Sequence, residues 1–227
     1  MKKFSSKILV MLFVFGFIVF IYPKVSAAKN QYNTNRRVDK YFDLIQEIPR
    51  KQLQDEIKRA EDYNKTLVGS LVPNVFVEHE KEGNAEYETL LNPIENAVMG
   101  TVEIPAIHVH LPIYHYANEE SMELGAGHLP GSSLPVGGQS THSVIIAHRG
   151  KPELGYFKDL DQLEVGSVFS IHVMGSTLDY EVDRISVVDP SEVSSLAIKE
   201  GQDYCTLITC TPYGVNTHRL LVRGHRL

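Results

Sequence analysis

The sequence predicts a mainly β fold, either a closed barrel or a sandwich, that follows a pair of N-terminal helices. From Ala97 onward, short apolar runs of strand length recur, and clusters rich in Gly, Pro and Ser separate them. Seven or so short strands spaced in this way are typical of compact all-β domains. The runs are VMGTVEI, HVHLPIYHY, HSVIIAH, SVFSIHVM, LDYEVDRISVV, CTLITC and RLLVR, separated by turn clusters such as LPGSSLPVGG, GKPELG and MGST.

Residues 30–71 have a helical pattern. One apolar stripe recurs at i, i+3, i+4 and i+7 and stops at Pro49, and a second helix is predicted from Lys51 to Leu67. The stripe consists of Tyr41, Leu44, Ile45 and Ile48. Residues 72–96 are polar and rich in Glu, which favours a long loop. We therefore divide the chain into residues 1–28, a helical appendage with a possible lid loop at 29–96, and a β domain at 97–227.

Composition excludes several classes of function. The 227 residues are 43% hydrophobic, enough for one core, and the net charge of −6 provides no field that would attract nucleic acid. There is no phosphate-binding glycine loop and no CxxC pair, and the acidic residues form no recognisable ligand loop. We expect no cofactor and no metal.

The first 28 residues have the features of an export segment. Three lysines precede an apolar run from Ile8 to Tyr22, and VSAA at 25–28 resembles a signal-peptidase site. Fifteen apolar residues are short for a bilayer span, which favours a cleaved signal over an anchor on length alone. In either case the rest of the chain is exported.

The segment from Thr206 to Leu227 contains a possible nucleophile and a fixed positive charge. It is predicted to form strand, loop and strand, so a hairpin places Cys210 and Arg219 at the same end of the sheet. A nearby cation stabilises the reactive thiolate, and a guanidinium can hold an oxyanion or a peptide carbonyl. The alternative is a buried structural thiol beside a surface arginine.

The second cysteine, Cys205, has a different predicted role. Cys205 and Cys210 are roughly 16 Å apart on an extended strand and face opposite sides of it. A disulfide requires Cα atoms within about 7 Å. Both are therefore expected to be free thiols, with Cys205 packed in the interior.

A histidine at the end of another strand is a candidate for proton transfer. His148 ends HSVIIAH and leads into a loop that contains glycine. His142, at the other end of the same strand, is roughly 20 Å away and cannot serve the same site. His128 is a rival, and so is His218, which neighbours Arg219 and faces the opposite side of its strand.

The segments HSVIIAHRG and TLITCTPYGVNTHRLLVRG resemble those of the sortases, the cysteine transpeptidases of Gram-positive cell surfaces. The stretch GTVEIPAIHVHLPIYHYANEESMELGAGHLPGSSLPVGG and the N-terminal helices are most similar to the pilus-assembling class C branch. The resemblance is close from Gly100 to Arg226 and only general over residues 30–99.

The resemblance implies an eight-stranded closed β-barrel and a catalytic set of Cys210 as nucleophile, His148 as catalytic histidine and Arg219 as transition-state stabiliser. It implies cleavage of an LPxTG-type sorting signal between Thr and Gly through a thioacyl-enzyme. The expected partners are LPxTG-bearing pilins or surface proteins and an amine acceptor, a pilin lysine or a cell-wall precursor. Alternatives are a sortase that anchors proteins to peptidoglycan precursors, a cysteine protease, and a non-catalytic barrel that binds sorting peptides.

The sequence departs from the class C pattern in two places. Class C lids are anchored by an Asp-Pro-aromatic motif, but the one Asp-Pro pair here is Asp189-Pro190, and the 72–96 loop offers Val72-Pro73 and Phe76 with no Asp. The family often has a C-terminal hydrophobic anchor as well, and this sequence stops at Leu227, directly after the last strand. Either the N-terminal segment is a retained anchor, or the sequence is truncated, or the enzyme is released. We expect attachment through the N-terminal segment, at the extracellular face of the plasma membrane of a Gram-positive bacterium.

Overall fold

The computed structural model describes residues 6–69, 85–92, 98–149 and 156–227. Its centre is a closed barrel of eight strands in the order β1-β2-β3-β4-β7-β8-β6-β5. The β2–β3 and β4–β7 pairs are parallel and the others antiparallel. The strands are β1 Val98–Ile104, β2 Val109–His115, β3 Ala126–His128, β4 Thr141–Ile146, β5 Val168–Val173, β6 Ser176–Val188, β7 Asp203–Thr211 and β8 His218–Arg226. The predicted eight-stranded closed barrel with N-terminal helices is confirmed.

In the described part of the chain, three α-helices precede the barrel, and a fourth lies between β2 and β3. They are α1 Ser6–Glu47, α2 Arg50–Thr66, α3 Ala85–Thr89 and α4 Glu119–Leu124, with 3-10 turns at Pro105–Ile107, Leu160–Gln162 and Ser194–Leu196. The last of these turns lies between β6 and β7.

Two elements differ from the sequence-based expectation. Strand β3 was not predicted, because its three residues are too few to show alternation; it is placed by parallel pairing with β2, beginning at Ile113 opposite Ala126. Strand β4 ends at Ile146, so His148 lies two residues beyond the strand rather than at its last position.

The strands alternate between an inner and an outer apolar layer. On β4, β7 and β8, the side chains of Ile145, Leu207 and Val222 belong to the main core inside the barrel. Their neighbours face outward and form a second, smaller cluster. That outer cluster consists of Leu129, Val144, Leu196, Ile208 and Leu221, with Ile146 and Val188 packed against it. Each fully buried side chain of this size contributes roughly 1.5–3 kcal/mol.

The two long helices are fastened to the barrel by buried polar groups. The Tyr41 hydroxyl donates to the carbonyl of Met99 at 3.3 Å and accepts from the amide of Met174 at 3.0 Å. Burial raises the pKa of Tyr41 to about 12. On α2, Asn64 donates through Nδ2 to the carbonyl of Leu134 at 3.0 Å and accepts from its amide at 2.7 Å. The apolar stripe predicted on α1 is therefore the docking face.

The N-terminal half of α1 makes no such contacts. Its apolar residues from Ile8 onward are exposed, and the helix continues through Pro23 into the part that docks on the barrel. Among the described residues, α1 alone is long and apolar enough to cross a membrane, a test that a signal sequence also passes.

The predicted 72–96 loop is described only in part. Residues 85–92 include α3, and Tyr87, Leu90 and Leu91 there are buried against the core. This part of the loop is therefore packed structure. Val72, Pro73 and Phe76, which bear on the lid, lie outside the described residues.

Candidate active site

Three neighbouring strands bring His148, Cys210 and Arg219 into one row. In the parallel β4–β7 ladder, Ile146 is opposite Ile208, and the amide of Ala147 donates to the carbonyl of Ile208 at 3.2 Å. The same offset carried two residues further sets His148 opposite Cys210. On the other side of β7, Cys210 is directly paired with Arg219. Neighbouring strands lie about 4.8 Å apart, so the row is compact.

All three side chains belong to the outer face of the barrel. Alternation along β7 puts Cys210 on the same face as Ile208 of the outer apolar cluster, and alternation of β4, continued past its end by the Ala147–Ile208 bond, puts His148 on the same face as Val144. The row continues to Val188 on β6, which is paired with Arg219 on β8. The Cys210 thiol, the His148 imidazole and the Arg219 guanidinium thus lie on the side of the sheet where this apolar cluster packs, and Cys210 itself is partly exposed.

Side chains next to the row hold the ends of β4 and β7 together. The Thr209 hydroxyl donates to the carbonyl of Ala147 at 2.8 Å, in a fully buried position. The buried guanidinium of Arg149 donates to Thr211 Oγ1 at 3.1 Å and to the carbonyl of Lys158 at 3.1 Å. It also forms an ion pair with Asp161. These contacts flank His148 and Cys210 on both sides in sequence and fix their relative position.

A glutamate on a helix that was not predicted from the sequence lies near His148. The His148 side chain is 18% exposed, and its Nε2 lies 3.6 Å from Oε2 of Glu119, the first residue of α4. The interaction is attractive whenever the ring is protonated. Asn118 caps α4 by accepting from the amide of Ser121 at 2.9 Å. An Asn followed by two glutamates is a helix-start signal, so the sequence did contain a sign of this helix.

Arg219 lies against the β7–β8 loop. Its Nη1 donates to the carbonyls of Asn216 and His218, both at 3.0 Å. Asn216 adopts a left-handed conformation with φ of 61°, which lets the loop turn back toward β8. These contacts hold the guanidinium at the end of β8 that is paired with Cys210, next to the exposed loop.

The rival histidines have structural roles. His128 and His142 are buried, and burial lowers the pKa of each to about 4. The hydroxyl of Tyr87 lies 2.8 Å from His128 Nδ1, and the hydroxyl of Thr206 lies 2.7 Å from His142 Nε2. His218 is exposed at the loop end of β8, next to Arg219.

Cys205 is fully buried in the barrel interior, and burial raises the pKa of its thiol. Both cysteines are free, as predicted. Of the two thiols, Cys210 alone lies in the row with the histidine and the arginine.

Comparison with known proteins agrees with this geometry. A family model of the sortase domain matches residues 102–227. A crystal structure of Streptococcus pneumoniae sortase C is 40% identical, with a TM-score of 0.79, covering 85% of this chain and 96% of that one. Sortase C-1 of Actinomyces oris is 44% identical, with a TM-score of 0.73, covering 77% and 98%. Sortase D of Bacillus subtilis is 25% identical over 146 residues, 63% of this chain and 71% of that protein. The chain belongs to the sortase family of cysteine transpeptidases, and class C sortases are among its structural relatives.

Proposed function

We propose that this sortase cleaves an LPxTG-type sorting signal between Thr and Gly and joins the acyl group to a pilin lysine. The observation that carries the proposal is the pairing of β4, β7 and β8, which brings His148, two residues beyond β4, next to Cys210 on β7 and Cys210 next to Arg219 on β8. Such a row supplies a nucleophile with a proton-transfer group one strand spacing away on one side and a fixed positive charge one strand spacing away on the other.

In the first half-reaction, the Cys210 thiolate attacks the carbonyl carbon of the sorting-signal Thr. Negative charge develops on the carbonyl oxygen, and the Arg219 guanidinium stabilises it. The C–N bond to Gly then breaks, His148 gives a proton to the leaving amine, and a thioester remains on Cys210.

In the second half-reaction, the lysine amine attacks the thioester carbonyl. His148 takes up the proton of this amine, the C–S bond breaks, and the thiolate of Cys210 is restored. The product is an isopeptide bond. The apolar cluster bordering the row, with Ile146 and Val188 at its edge, provides a surface for the apolar part of the peptide.

The choice of a pilin acceptor rests on likeness to class C enzymes. The S. pneumoniae sortase C structure is described in relation to pilin substrate specificity. A cell-wall precursor amine is the competing acceptor, and water would make the enzyme a protease. We place the enzyme on the extracellular face of the plasma membrane of a Gram-positive bacterium, with the exposed apolar end of α1 retained as the anchor.

The test is to incubate the full chain with an LPxTG peptide, with and without a lysine-containing pilin or a cell-wall amine, and to analyse products by mass spectrometry. We expect an acyl adduct on Cys210 and a lysine isopeptide product. Product formed only with the wall amine favours anchoring, and release of free acid regardless of amine favours proteolysis. Turnover by Cys210→Ala at the wild-type rate contradicts all three.

A further inference from the structure

On the side of the barrel away from the proposed active site, two histidines and a glutamate converge. Glu103 on β1 is directly paired with His110 on β2, and His172 on β5 is paired with Thr101, two residues from Glu103 on the same face. Each of the three side chains offers one ligand atom, and these atoms all lie within 4.8 Å of one another. We call Glu103, His110 and His172 the His–Glu cluster.

The cluster is supported by a second layer of hydroxyl groups. His172 Nε2 lies 3.0 Å from Glu103 Oε2, while its other nitrogen, Nδ1, lies 3.0 Å from the Thr177 hydroxyl. The Thr101 hydroxyl, which is buried, lies 3.2 Å from His110 Nε2. Such contacts fix the orientation of an imidazole ring, as outer-shell groups do for histidines that bind metals.

An aromatic ring from α1 covers the two imidazoles. Phe42 lies with its centroid 5.9 Å from that of His110 and 5.6 Å from that of His172. The His172 side chain is 18% exposed and that of Glu103 42% exposed. The cluster is therefore sheltered on the helix side and reachable from solvent on the glutamate side.

We propose that the His–Glu cluster binds a divalent transition-metal ion of the zinc type. Two imidazoles and a carboxylate are a common ligand set for Zn²⁺, and the set is too rich in nitrogen for Ca²⁺ or Mg²⁺. A hydrogen bond with Glu103 engages only one of the two imidazoles, that of His172. A single metal ion can be bound by both imidazoles and the carboxylate together. Tetrahedral coordination requires ligand atoms about 3.3 Å apart, so binding requires the three partly exposed side chains to draw their ligand atoms together from within 4.8 Å.

Bound metal would cross-link β1, β2 and β5 beneath α1. Strand β1 is four places from β7 in either direction around the barrel, so this site is separate from the Cys210 row. We expect a metal ion here to stabilise the fold without taking part in acyl transfer. The sequence gives no hint of it, because the ligands come from three strands and Glu103 and His172 are 69 positions apart.

The experiment uses the full chain in detergent, without a polyhistidine tag, in a Cys210→Ala background because a thiolate also binds zinc. We expect about one Zn²⁺ per chain after dialysis, a rise in Tm with Zn²⁺, and visible absorption of tetrahedral Co²⁺ in its place. His110→Gln, His172→Gln and Glu103→Gln should each weaken binding by at least about tenfold. His225→Gln, on β8 outside the cluster, is the matched control and should bind like the parent.

Circular dichroism must show that each variant is folded, and the near-isosteric Glu103→Gln is the variant least expected to disturb packing. The proposal is overturned when the parent gains neither metal nor Tm with Zn²⁺, or when the three cluster variants bind as tightly as His225→Gln. An equal rise in Tm with Ca²⁺ also overturns it, since that ion prefers oxygen ligands.

Discussion

The hydroxyl of Thr209 donates to the carbonyl of Ala147 at 2.8 Å, joining the residues that immediately precede Cys210 and His148. Thr209→Val keeps the shape and removes this bond. We expect kcat to fall about tenfold through misplacement of the two groups, with KM little changed, and stability to fall by about 1–2 kcal/mol. Thr206→Val is the control. Thr206 is on β7 like Thr209, but its hydroxyl contacts His142 on β4, away from the row. Equal kcat losses in both variants would contradict the positioning role.

The two cysteines should separate chemistry from packing. Cys210→Ala is expected to abolish the acyl adduct while the Tm stays near that of the wild type. Cys205→Ala leaves a small void in the core, so we expect a loss of roughly 1 kcal/mol in unfolding free energy and nearly normal acylation. Iodoacetamide should label Cys210 in the native protein and Cys205 only after denaturation. Native labelling of Cys205, or loss of acylation in folded Cys205→Ala, would be inconsistent with this assignment.

Arg219 and Arg223, on the same face of β8, should give opposite phenotypes. Arg219→Ala is predicted to lower kcat at least about 100-fold, because a donor to the developing oxyanion is lost, with the circular dichroism spectrum unchanged. Arg223 instead donates to both oxygens of Asp183, at 2.9 and 2.8 Å, and lies 4.2 Å from the Tyr204 ring. Arg223→Ala should lower the Tm and leave kcat nearly intact. Near-normal turnover by folded Arg219→Ala would remove its proposed role.

Docking of α2 depends on one amide side chain. Asn64→Ala leaves the amide of buried Leu134 without its partner, whereas the Leu134 carbonyl keeps the bond from the Val136 amide at 2.8 Å. We therefore expect a loss of about 1–3 kcal/mol in unfolding free energy. Urea denaturation measures this loss. Lys65→Ala, whose ion pair with Asp62 is exposed, should change stability by less than about 1 kcal/mol. Similar effects of the two substitutions would show that the Asn64 contacts contribute little.

Buried neutral histidines predict acid sensitivity. The folded protein lowers the pKa of His128 and His142 to about 4, whereas imidazole in the unfolded chain titrates near 6.5. The unfolded state therefore binds more protons below pH 6.5, and stability falls as the pH drops from 6.5 to about 4, by about 3 kcal/mol for each histidine. Urea unfolding at pH 7.5, 6 and 5 measures the slope. A folded His142→Gln variant should show a shallower slope, and an unchanged slope would contradict this origin.

The sequence supports local features better than distant pairing. The predicted apolar run VMGTVEI coincides with β1, and the turn residues after Thr211 correctly predict that Cys210 and Arg219 lie at one end of a hairpin. The neighbourhood of His148 and Cys210 depends instead on the β4–β7 ladder, between residues 62 positions apart. No local pattern encodes such a pairing, and only the family resemblance predicts it.

The same limit applies to the supporting groups. Glu119 lies on a six-residue helix that is too short for a periodic pattern. Thr209 is one of several strand threonines in the sequence, and its role depends on the bond that its hydroxyl donates to the Ala147 carbonyl in the folded protein. The His–Glu cluster requires three strands to be paired in the correct register before its members meet. Register is set by packing and turns across the whole barrel rather than by the residues themselves.

The parallel β4–β7 pairing also determines which changes in chain length the enzyme tolerates. Residues 150–202 belong to the excursion, the segment of chain that connects β4 to β7. Insertions or deletions in the turns of this segment therefore leave the distance between the His148 imidazole and the Cys210 sulfur unaltered. A single residue added within β4 or β7 has the opposite effect, because it turns one of the two groups to the barrel interior. Natural variation in length is thus expected to accumulate in the excursion and to spare the two short strands that bound it.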